Sequence, residues 1–182
     1  MESRWSQELY IRAYKYAARS HHGQYVPGSD LPYITHLSFV SMEIMSSLSV
    51  GNKRNGDLAV QCALLHDILE DTGVTYEQVK DEFGVVVACG VLALTKNIKL
   101  DKNKQMEDSL KRIKKQPKEI WMVKMADRIT NLQPPHSYWD NEKKKEYRNE
   151  ANQIYNSLKD ADEYLALRLK NKIKDYKNDS SG

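Results

Sequence analysis

Hydrophobic residues recur at three- and four-residue steps along most of the chain, which is the spacing of amphipathic helices. The clearest stripe is Leu58, Cys62, Leu65 and Leu69. The pattern predicts helices over residues 6–20, 37–48, 58–71, 75–83, 85–95, 104–116, 117–132, 141–158 and 164–176. Clusters of Pro, Gly, Ser and Asp interrupt them, most densely between residues 23 and 32. No stretch shows convincing strand alternation, so an all-α fold is predicted.

Length and composition fit one soluble domain. The chain has 182 residues, of which 40% are hydrophobic and 29% charged, with a net charge of only +3. We therefore expect a single domain over residues 1–176 and a disordered tail over 177–182. Cys62 and Cys89 lie in apolar helical contexts, where cysteine behaves as a small hydrophobic residue. The sequence offers no signal-peptide pattern and no apolar run of membrane-spanning length, so a cytoplasmic protein is expected.

The lysines cluster around residues 96–104, 111–118 and 143–145. Such runs are usually solvated helix faces, and attraction to a polyanionic small molecule is the second interpretation. No RNA-binding or zinc-finger signature accompanies them, so nucleic acid is not an expected partner. The apolar stripe of the last helix, which includes Leu165 and Leu169, indicates either core packing or the contact of a homodimer, and not a membrane surface.

One imidazole and three carboxylates occur within six residues of each other, directly after an apolar run: His66, Asp67, Glu70 and Asp71. On one continuous helix, residues four apart lie above each other, so all four groups are expected on one polar side. Carboxylates so close together repel one another, and a bound cation would compensate for the repulsion. The alternative is a solvated helix end without a metal.

The predicted helix over residues 117–132 carries Lys124, Asp127 and Asn131 on one face, within an otherwise apolar sequence. The alternative is that Lys124 and Arg128 only form ion pairs with Asp127 or with other acidic residues. Together with His36 and the His66-Asp67 pair, however, Asp127 completes a set of two imidazoles and two carboxylates from three helices. Mixed nitrogen and oxygen ligands suit Mn, Fe, Zn or Mg, and such a metal holds phosphate oxygens and activates water. Glu70 and Asp71 would be the acid–base or water-positioning pair beside it.

The order His…His-Asp…Asp resembles the HD-domain metal phosphohydrolases. Several segments more narrowly resemble the hydrolase domain of the Rel/SpoT alarmone enzymes, over about residues 10–155. They are His21-His22-Gly23-Gln24, Pro32-Tyr33-Ile34-Thr35-His36, Ala63-Leu64-Leu65-His66-Asp67-Ile68-Leu69-Glu70-Asp71-Thr72, Phe83-Gly84 and Lys124-Met125-Ala126-Asp127-Arg128-Ile129-Thr130-Asn131-Leu132. The His-Asp pair alone is a weak signal, but the first long string followed by the second at this distance is specific.

The resemblance implies a single HD-domain helical bundle with one Mn²⁺ ion, and removal of the 3′-pyrophosphate from (p)ppGpp to give GDP or GTP. The implied metal ligands are His36, His66, Asp67 and Asp127. Glu70 and Asp71 match the positions that orient the attacking water, Asn131 matches a residue that contacts ribose or phosphate, and Lys124 and Tyr147 are further candidate substrate contacts. The remaining length cannot hold a synthetase domain, so the match is to the stand-alone small alarmone hydrolases.

One segment departs from the family pattern. After Gly23-Gln24 the family usually has an Arg-Lys pair that grips base and phosphate, whereas this chain has Tyr25-Val26-Pro27-Gly28-Ser29-Asp30-Leu31 before Pro32-Tyr33. No candidate ligand is affected, so the metal chemistry is expected to survive while base recognition changes. The alternatives are an HD phosphohydrolase acting on (p)ppApp or on another 2′- or 3′-phosphorylated nucleotide such as NADPH, and a non-catalytic alarmone sensor, against which the intact Glu70-Asp71 pair argues.

Overall fold

The computed structural model describes residues 4–51, 54–133 and 139–178, with side chains up to residue 176. Over these residues the chain is all-α, as predicted, and its β-pairing is limited to an isolated bridge between Tyr25 and Pro32. The α-helices are α1 (Gln7–Ser20), α2 (Ile34–Ser49), α3 (Gly56–Leu65), α4 (Ile68–Asp71), α5 (Tyr76–Phe83), α6 (Val85–Leu94), α7 (Lys102–Ile113), α8 (Lys118–Asn131), α9 (Asn141–Leu158) and α10 (Glu163–Asn178). A short 3₁₀ helix, Lys159–Ala161, joins the last two.

Helices α3 and α8 form the centre of the bundle. Every residue of α3 except Asp57 is buried, and α8 is buried from Glu119 to Ile129 except for Trp121. Helix α3 packs against α1, α2, α6 and α8, while α8 also contacts α2, α9 and α10. A helix that is apolar on all sides is stable only when it is surrounded in this way. Polar side chains at the ends of these two helices are therefore held by a rigid, closely packed core.

Helix α6 approaches this centre closely because it carries glycine at position 90. A Cβ atom at Gly90 would lie 2.5 Å from Ile120 Cδ1 and 3.1 Å from Cys62 Sγ. The sulfur of Cys62 is thus part of the core, where Cys62 is fully buried. Cys89 is only half-buried, and its sulfur lies 3.4 Å from the hydroxyl of Tyr76.

Most helix ends agree with their sequence signals. Thr75 and Gln78 form a reciprocal capping box at α5, and Asp140 accepts a hydrogen bond from the backbone of Lys143 at the start of α9. Helix α2 begins at Ile34, three residues before its predicted start at residue 37, and Tyr33 precedes it with helical backbone angles. Helix α7 ends at Ile113, three residues before its predicted end at residue 116.

The apolar stripe of α10 belongs to the core of this chain. Leu165 and Leu169 are fully buried, and Ile173 and Tyr176 are 6% and 2% exposed. The helix continues to Asn178, two residues into the predicted tail, and residues 179–182 lie outside the described part of the chain. No helix among the described residues is both long and apolar enough to cross a membrane.

The continuous helix predicted over residues 58–71 is wrong. Helix α3 ends at Leu65, His66 and Asp67 form a turn, and the short helix α4 follows. The Asp67 carbonyl accepts hydrogen bonds from the backbone of both Glu70 and Asp71, which starts α4. Adjacent residues of a regular helix point about 100° apart. At this turn the two side chains nevertheless meet, because His66 Nε2 lies 2.9 Å from Asp67 Oδ2.

Candidate metal centre and adjoining cavity

Four side chains from three parts of the fold converge at the ends of α2, α3 and α8. The ligand atoms of His36, His66 and Asp67 all lie within 4.8 Å of one another. Asp127 joins them, because its Oδ1 lies 3.6 Å from His36 Nε2 and 3.7 Å from His66 Nε2. Asp67 Oδ2 lies 2.9 Å from His66 Nε2 and 3.7 Å from His36 Nε2. Two imidazole nitrogens and two carboxylate oxygens thus surround one point.

The hydrogen bonding of His66 fits a metal ligand. Its Nδ1 lies 2.8 Å from the carbonyl oxygen of Ala63, which can only accept, so Nδ1 carries a hydrogen. Its Nε2 is buried among the other three side chains, and no described residue meets it with hydrogen-bond geometry, although Asp67 Oδ2 lies 2.9 Å away. Metal-ligating histidines commonly donate one ring nitrogen to a carbonyl and coordinate through the other. This donor set therefore suits a divalent metal with nitrogen and oxygen ligands.

The electrostatics of the cluster favour a bound cation. Burial lowers the pKa of His66, but the carboxylates of Asp67 and Asp127 outweigh burial and raise that pKa well above its usual value. Burial raises the pKa of Asp127, yet Lys124 and the two histidines bring it well below the normal range. The carboxylates thus stay ionised and attract positive charge, which a divalent ion supplies more effectively than one proton.

Tyr33 contacts a candidate ligand of the metal centre, although no sequence pattern pointed to this residue by itself. Its hydroxyl donates a 2.6 Å hydrogen bond to Asp67 Oδ2, and burial next to that carboxylate raises the pKa of Tyr33, so the phenol stays protonated. The ring stacks on His21 with centroids 4.9 Å apart. His21 donates to Gln24 Oε1, and Gln24 Nε2 donates to the carbonyl of Asp71. The His-His-Gly-Gln segment therefore braces both Asp67 and the end of α4.

Replacing Tyr33 by phenylalanine is expected to weaken metal binding about tenfold while leaving the fold intact. The variant removes only the hydroxyl that fixes Asp67, and its ring can still stack on His21. Metal titration followed by elemental analysis measures the effect. Tyr16→Phe is the matched control, because Tyr16 packs edge-on against Phe83 away from the metal centre. Equal metal affinity in both variants would contradict this role of Tyr33.

Asp127 is held from both sides by residues of its own helix. Lys124 Nζ donates to Oδ2 at 3.0 Å, and Asn131 Nδ2 donates to Oδ1. Lys124 is only 8% exposed and does not line the neighbouring cavity, so its contact in this structure is with Asp127. Asn131 is exposed and does line the cavity. That Lys124 and Asn131 contact the substrate stays a prediction.

Glu70 and Asp71 lie on α4, beside the cluster. Lys96 holds Glu70 through two contacts: its Nζ lies 2.8 Å from Oε1, and its backbone N–H donates to Oε2 at 3.0 Å. Although Asp71 as a residue is exposed, burial of its carboxyl group and the neighbouring Asp67 and Glu70 raise its pKa. The two carboxyl groups thus differ in environment, which suits a pair that exchanges protons. Their catalytic assignment is tested by the variants described in the Discussion.

A cavity of about 560 Å³ opens next to His36. Its walls come from the loop after α1, from α2, from the end of α8 and from aromatic residues of α9 and α10. The lining residues are Val26, Pro27, Gly28, Ser29, Leu31, Thr35, His36, Phe39, Thr130, Asn131, Gln133, Trp139, Tyr147 and Tyr176. Ligand sites are commonly concave and mostly apolar with a few polar groups, and this cavity has that character.

Tyr147, a candidate substrate contact, stands in the aromatic wall of this cavity. Its ring meets Trp139 edge-on at 5.3 Å, and the Arg128 guanidinium stacks on it at 4.4 Å. Burial raises the pKa of Tyr147 to about 12, so its hydroxyl remains protonated. Arg128 is itself buried and bound to Glu150. The sequence could not reveal this wall, because its members lie far apart along the chain.

Several known proteins are similar in sequence to this chain. The chain is 32% identical over 169 residues to a guanosine-3′,5′-bis(diphosphate) 3′-pyrophosphohydrolase of Aquifex aeolicus, covering 91% of this chain but only 23% of that protein. It is 27% identical to the pyrophosphohydrolase MESH1 of Drosophila melanogaster, covering 88% of this chain and 90% of that one. The chain thus spans about a quarter or less of several bacterial relatives.

A solved structure supports the fold. It is described as a metazoan orthologue of SpoT that hydrolyses ppGpp, and it superposes with a TM-score of 0.81 at 23% identity, covering 94% of this chain and 97% of that one. The family model for the HD domain matches residues 13–163. Since this region spans most of the chain and contains all four side chains of the metal centre, the chain belongs to the HD-domain family.

Proposed function

We propose that this protein is a divalent-metal-dependent hydrolase that removes the 3′-pyrophosphate of (p)ppGpp, giving GDP or GTP and pyrophosphate. The observation that carries the proposal is the cluster of His36, His66, Asp67 and Asp127 between a nucleotide-sized cavity and the carboxylates of α4. Several of its relatives carry the name of this activity, and one of them, the Drosophila protein, is matched over 90% of its own length.

The four cluster residues would hold one metal ion, for which we propose Mn²⁺. When bound, such an ion stabilises negative charge on phosphate oxygens and lowers the pKa of water. The carboxylates of Glu70 and Asp71 orient the water that attacks the phosphorus bonded to O3′. They take up its proton and return a proton to O3′ as the P–O3′ bond breaks. The raised pKa of Asp71 suits the donating part of this exchange.

The cavity next to His36 would hold the nucleoside. Its volume of about 560 Å³ lies within the range of small-molecule sites. Tyr147 and Trp139 offer aromatic faces and edges to a purine, and Asn131 stands where the cavity meets Asp127. The substrate is thus placed with its base among aromatic residues and its 3′ oxygen towards the metal centre.

Adenine-based alarmones and NADPH form the second candidate substrate class. The specific observation is the loop after Gln24, which lines the cavity with Val26, Pro27, Ser29 and Leu31. The Arg-Lys pair usual in the Rel/SpoT hydrolase domain is replaced in this segment. Without these cations, selection of the base depends on stacking and shape, which discriminate less between guanine and adenine than paired hydrogen bonds do.

The direct test is turnover of ppGpp, ppApp and NADPH by the Mn²⁺-loaded protein, with products resolved by ion-exchange chromatography. We expect a nucleoside diphosphate and pyrophosphate from ppGpp in equimolar amounts. Faster turnover of ppApp would favour the adenine-based substrate class, and orthophosphate release from NADPH would identify a monophosphate substrate. Binding of ppGpp without any turnover by the metal-loaded protein would refute the proposed function and favour a sensor.

A further inference from the structure

Lys96 is a cation at the edge of the metal centre with no assigned role. It lies two residues after the end of α6, and both its amine and its backbone N–H contact Glu70. Its side chain is 50% exposed, whereas that of Glu70 is 20% exposed. Burial lowers the pKa of Lys96, but Glu70 and the carboxylates of Asp127 and Asp67 outweigh this and raise it. The ammonium group therefore feels the field of the metal-binding carboxylates.

The backbone that carries Lys96 is firmly held. Arg112 on α7 donates to the carbonyls of Leu92, Ala93 and Thr95, which are the exposed acceptors at the end of α6. Arg112 is in turn paired with Asp108 at 2.8 Å. Helix ends leave their last carbonyls without partners, and a guanidinium satisfies several of them together. The backbone of Lys96 is thus fixed, while its exposed side chain retains freedom to move.

Two other cations near the metal centre are already engaged. Lys124 is buried against Asp127. Arg128 is buried between Tyr147 and Glu150, and among the described residues only its Nη2 has a hydrogen-bond partner. Exchanging either partner for a phosphate would leave a buried carboxylate or ring face without its cation, which is costly. Lys96 can exchange its partner at little cost in free energy, because its ion pair with Glu70 is partly solvated and such pairs contribute little to stability.

The cavity and Lys96 adjoin the metal centre through different residues, which gives a bound nucleotide an orientation. The cavity contacts the metal centre through His36, and neither Glu70 nor Lys96 lines it. Lys96 instead adjoins the metal centre on the side of α4, where it contacts Glu70. A nucleotide with its base in the cavity and its first 3′ phosphorus at the ligand cluster would place its second phosphate further from the cavity. An exposed cation described at the α4 side of the cluster is the amine of Lys96, which is close enough to Asp67 and Asp127 to interact with both.

We propose that Lys96 binds the terminal phosphate of the 3′-pyrophosphoryl group and releases Glu70 in doing so. This inference rests on the proposed function. The amine exchanges Glu70 Oε1 for a phosphate oxygen, while the backbone N–H of Lys96 keeps its contact with Oε2 and so keeps Glu70 oriented. Glu70 is then free to accept the proton of the attacking water. Substrates with a 3′-pyrophosphate are favoured over 3′-monophosphates, because only they displace Glu70 from Lys96.

The test is calorimetric titration of the Mn²⁺-loaded wild type, Lys96→Ala and Lys96→Arg with pyrophosphate and with orthophosphate. Loss of one charge-assisted contact weakens pyrophosphate binding by about tenfold or more in the alanine variant. Orthophosphate binding stays unchanged, since the metal centre alone holds it. The arginine variant retains most of the pyrophosphate affinity. Lys99→Ala, which removes an exposed lysine from the same loop, is the control for general loss of charge and leaves both affinities unchanged.

Equal pyrophosphate affinity in the wild type and in Lys96→Ala would overturn the proposal, even if turnover falls, because Lys96 would then act only by positioning Glu70. A parallel loss of pyrophosphate and orthophosphate binding would also overturn it. Turnover of ppGpp by the wild type, measured in the same preparation, separates these results from failure of the proposed function. Metal content and circular dichroism of each variant show that it is folded and loaded.

Discussion

Replacing Asp127 by alanine is expected to empty the metal centre and abolish turnover. Asp127 Oδ1 lies within 3.7 Å of both histidine nitrogens and supplies one of only two carboxylates in the cluster. Its loss should exceed the roughly 10- to 100-fold drop in metal affinity that follows changes to outer hydrogen-bond partners. Elemental analysis of purified protein should show metal falling from one ion per chain to trace amounts, and ppGpp turnover should fall with it.

The same change leaves Lys124 buried without its partner, and breaking a buried ion pair costs about 3–5 kcal/mol. Asp127→Asn is therefore the companion variant, because it keeps the volume and an oxygen acceptor while removing the charge that the metal requires. Asp81→Asn on the exposed face of α5 serves as the control. Full Mn²⁺ occupancy in a folded Asp127→Ala protein would refute the ligand assignment.

The helical architecture could be predicted because its signals are local. The three- and four-residue spacing of apolar residues identified the helices, and the capping box of Thr75 and Gln78 and the cap at Asp140 fixed two of their starts. Each of these signals depends on residues within one turn of each other. The candidate ligands could be named for a different reason, since charged and imidazole groups inside apolar helices are unusual enough to stand out.

The arrangement of the site depends on contacts that no local pattern contains. A turn at His66 and Asp67 breaks the helix although the apolar spacing continues through it, and these two side chains meet His36 and Asp127 from distant parts of the chain. The sequence could not assign a role to Tyr33 or to Lys96, because their partners lie 34 and 26 residues away along the chain. Only the packing of α2 and α6 around α3 brings them to the carboxylates that they contact.

Changing Glu70 to glutamine and Asp71 to asparagine should remove catalysis but leave the metal in place. Neither residue belongs to the cluster of ligand atoms, so metal content should stay at the wild-type level. Loss of the proton-transfer groups should lower kcat by about 10²- to 10⁴-fold, and the double variant should lose no more than the stronger single one if the two carboxylates act on the same water. Rapid-quench measurement of a single turnover separates this loss from slow product release.

Glu77→Gln is the matched control, because Glu77 is an exposed carboxylate that pairs with Lys80 on α5. It should retain wild-type turnover. The Glu70 variant keeps an oxygen that can accept from the backbone of Lys96, so the end of α6 should not move. If activity persists in the double variant, water activation must come from elsewhere and the mechanism is wrong. If metal is lost together with activity, α4 helps to hold the ion. Glu70 or Asp71 would then have to be counted among the metal ligands.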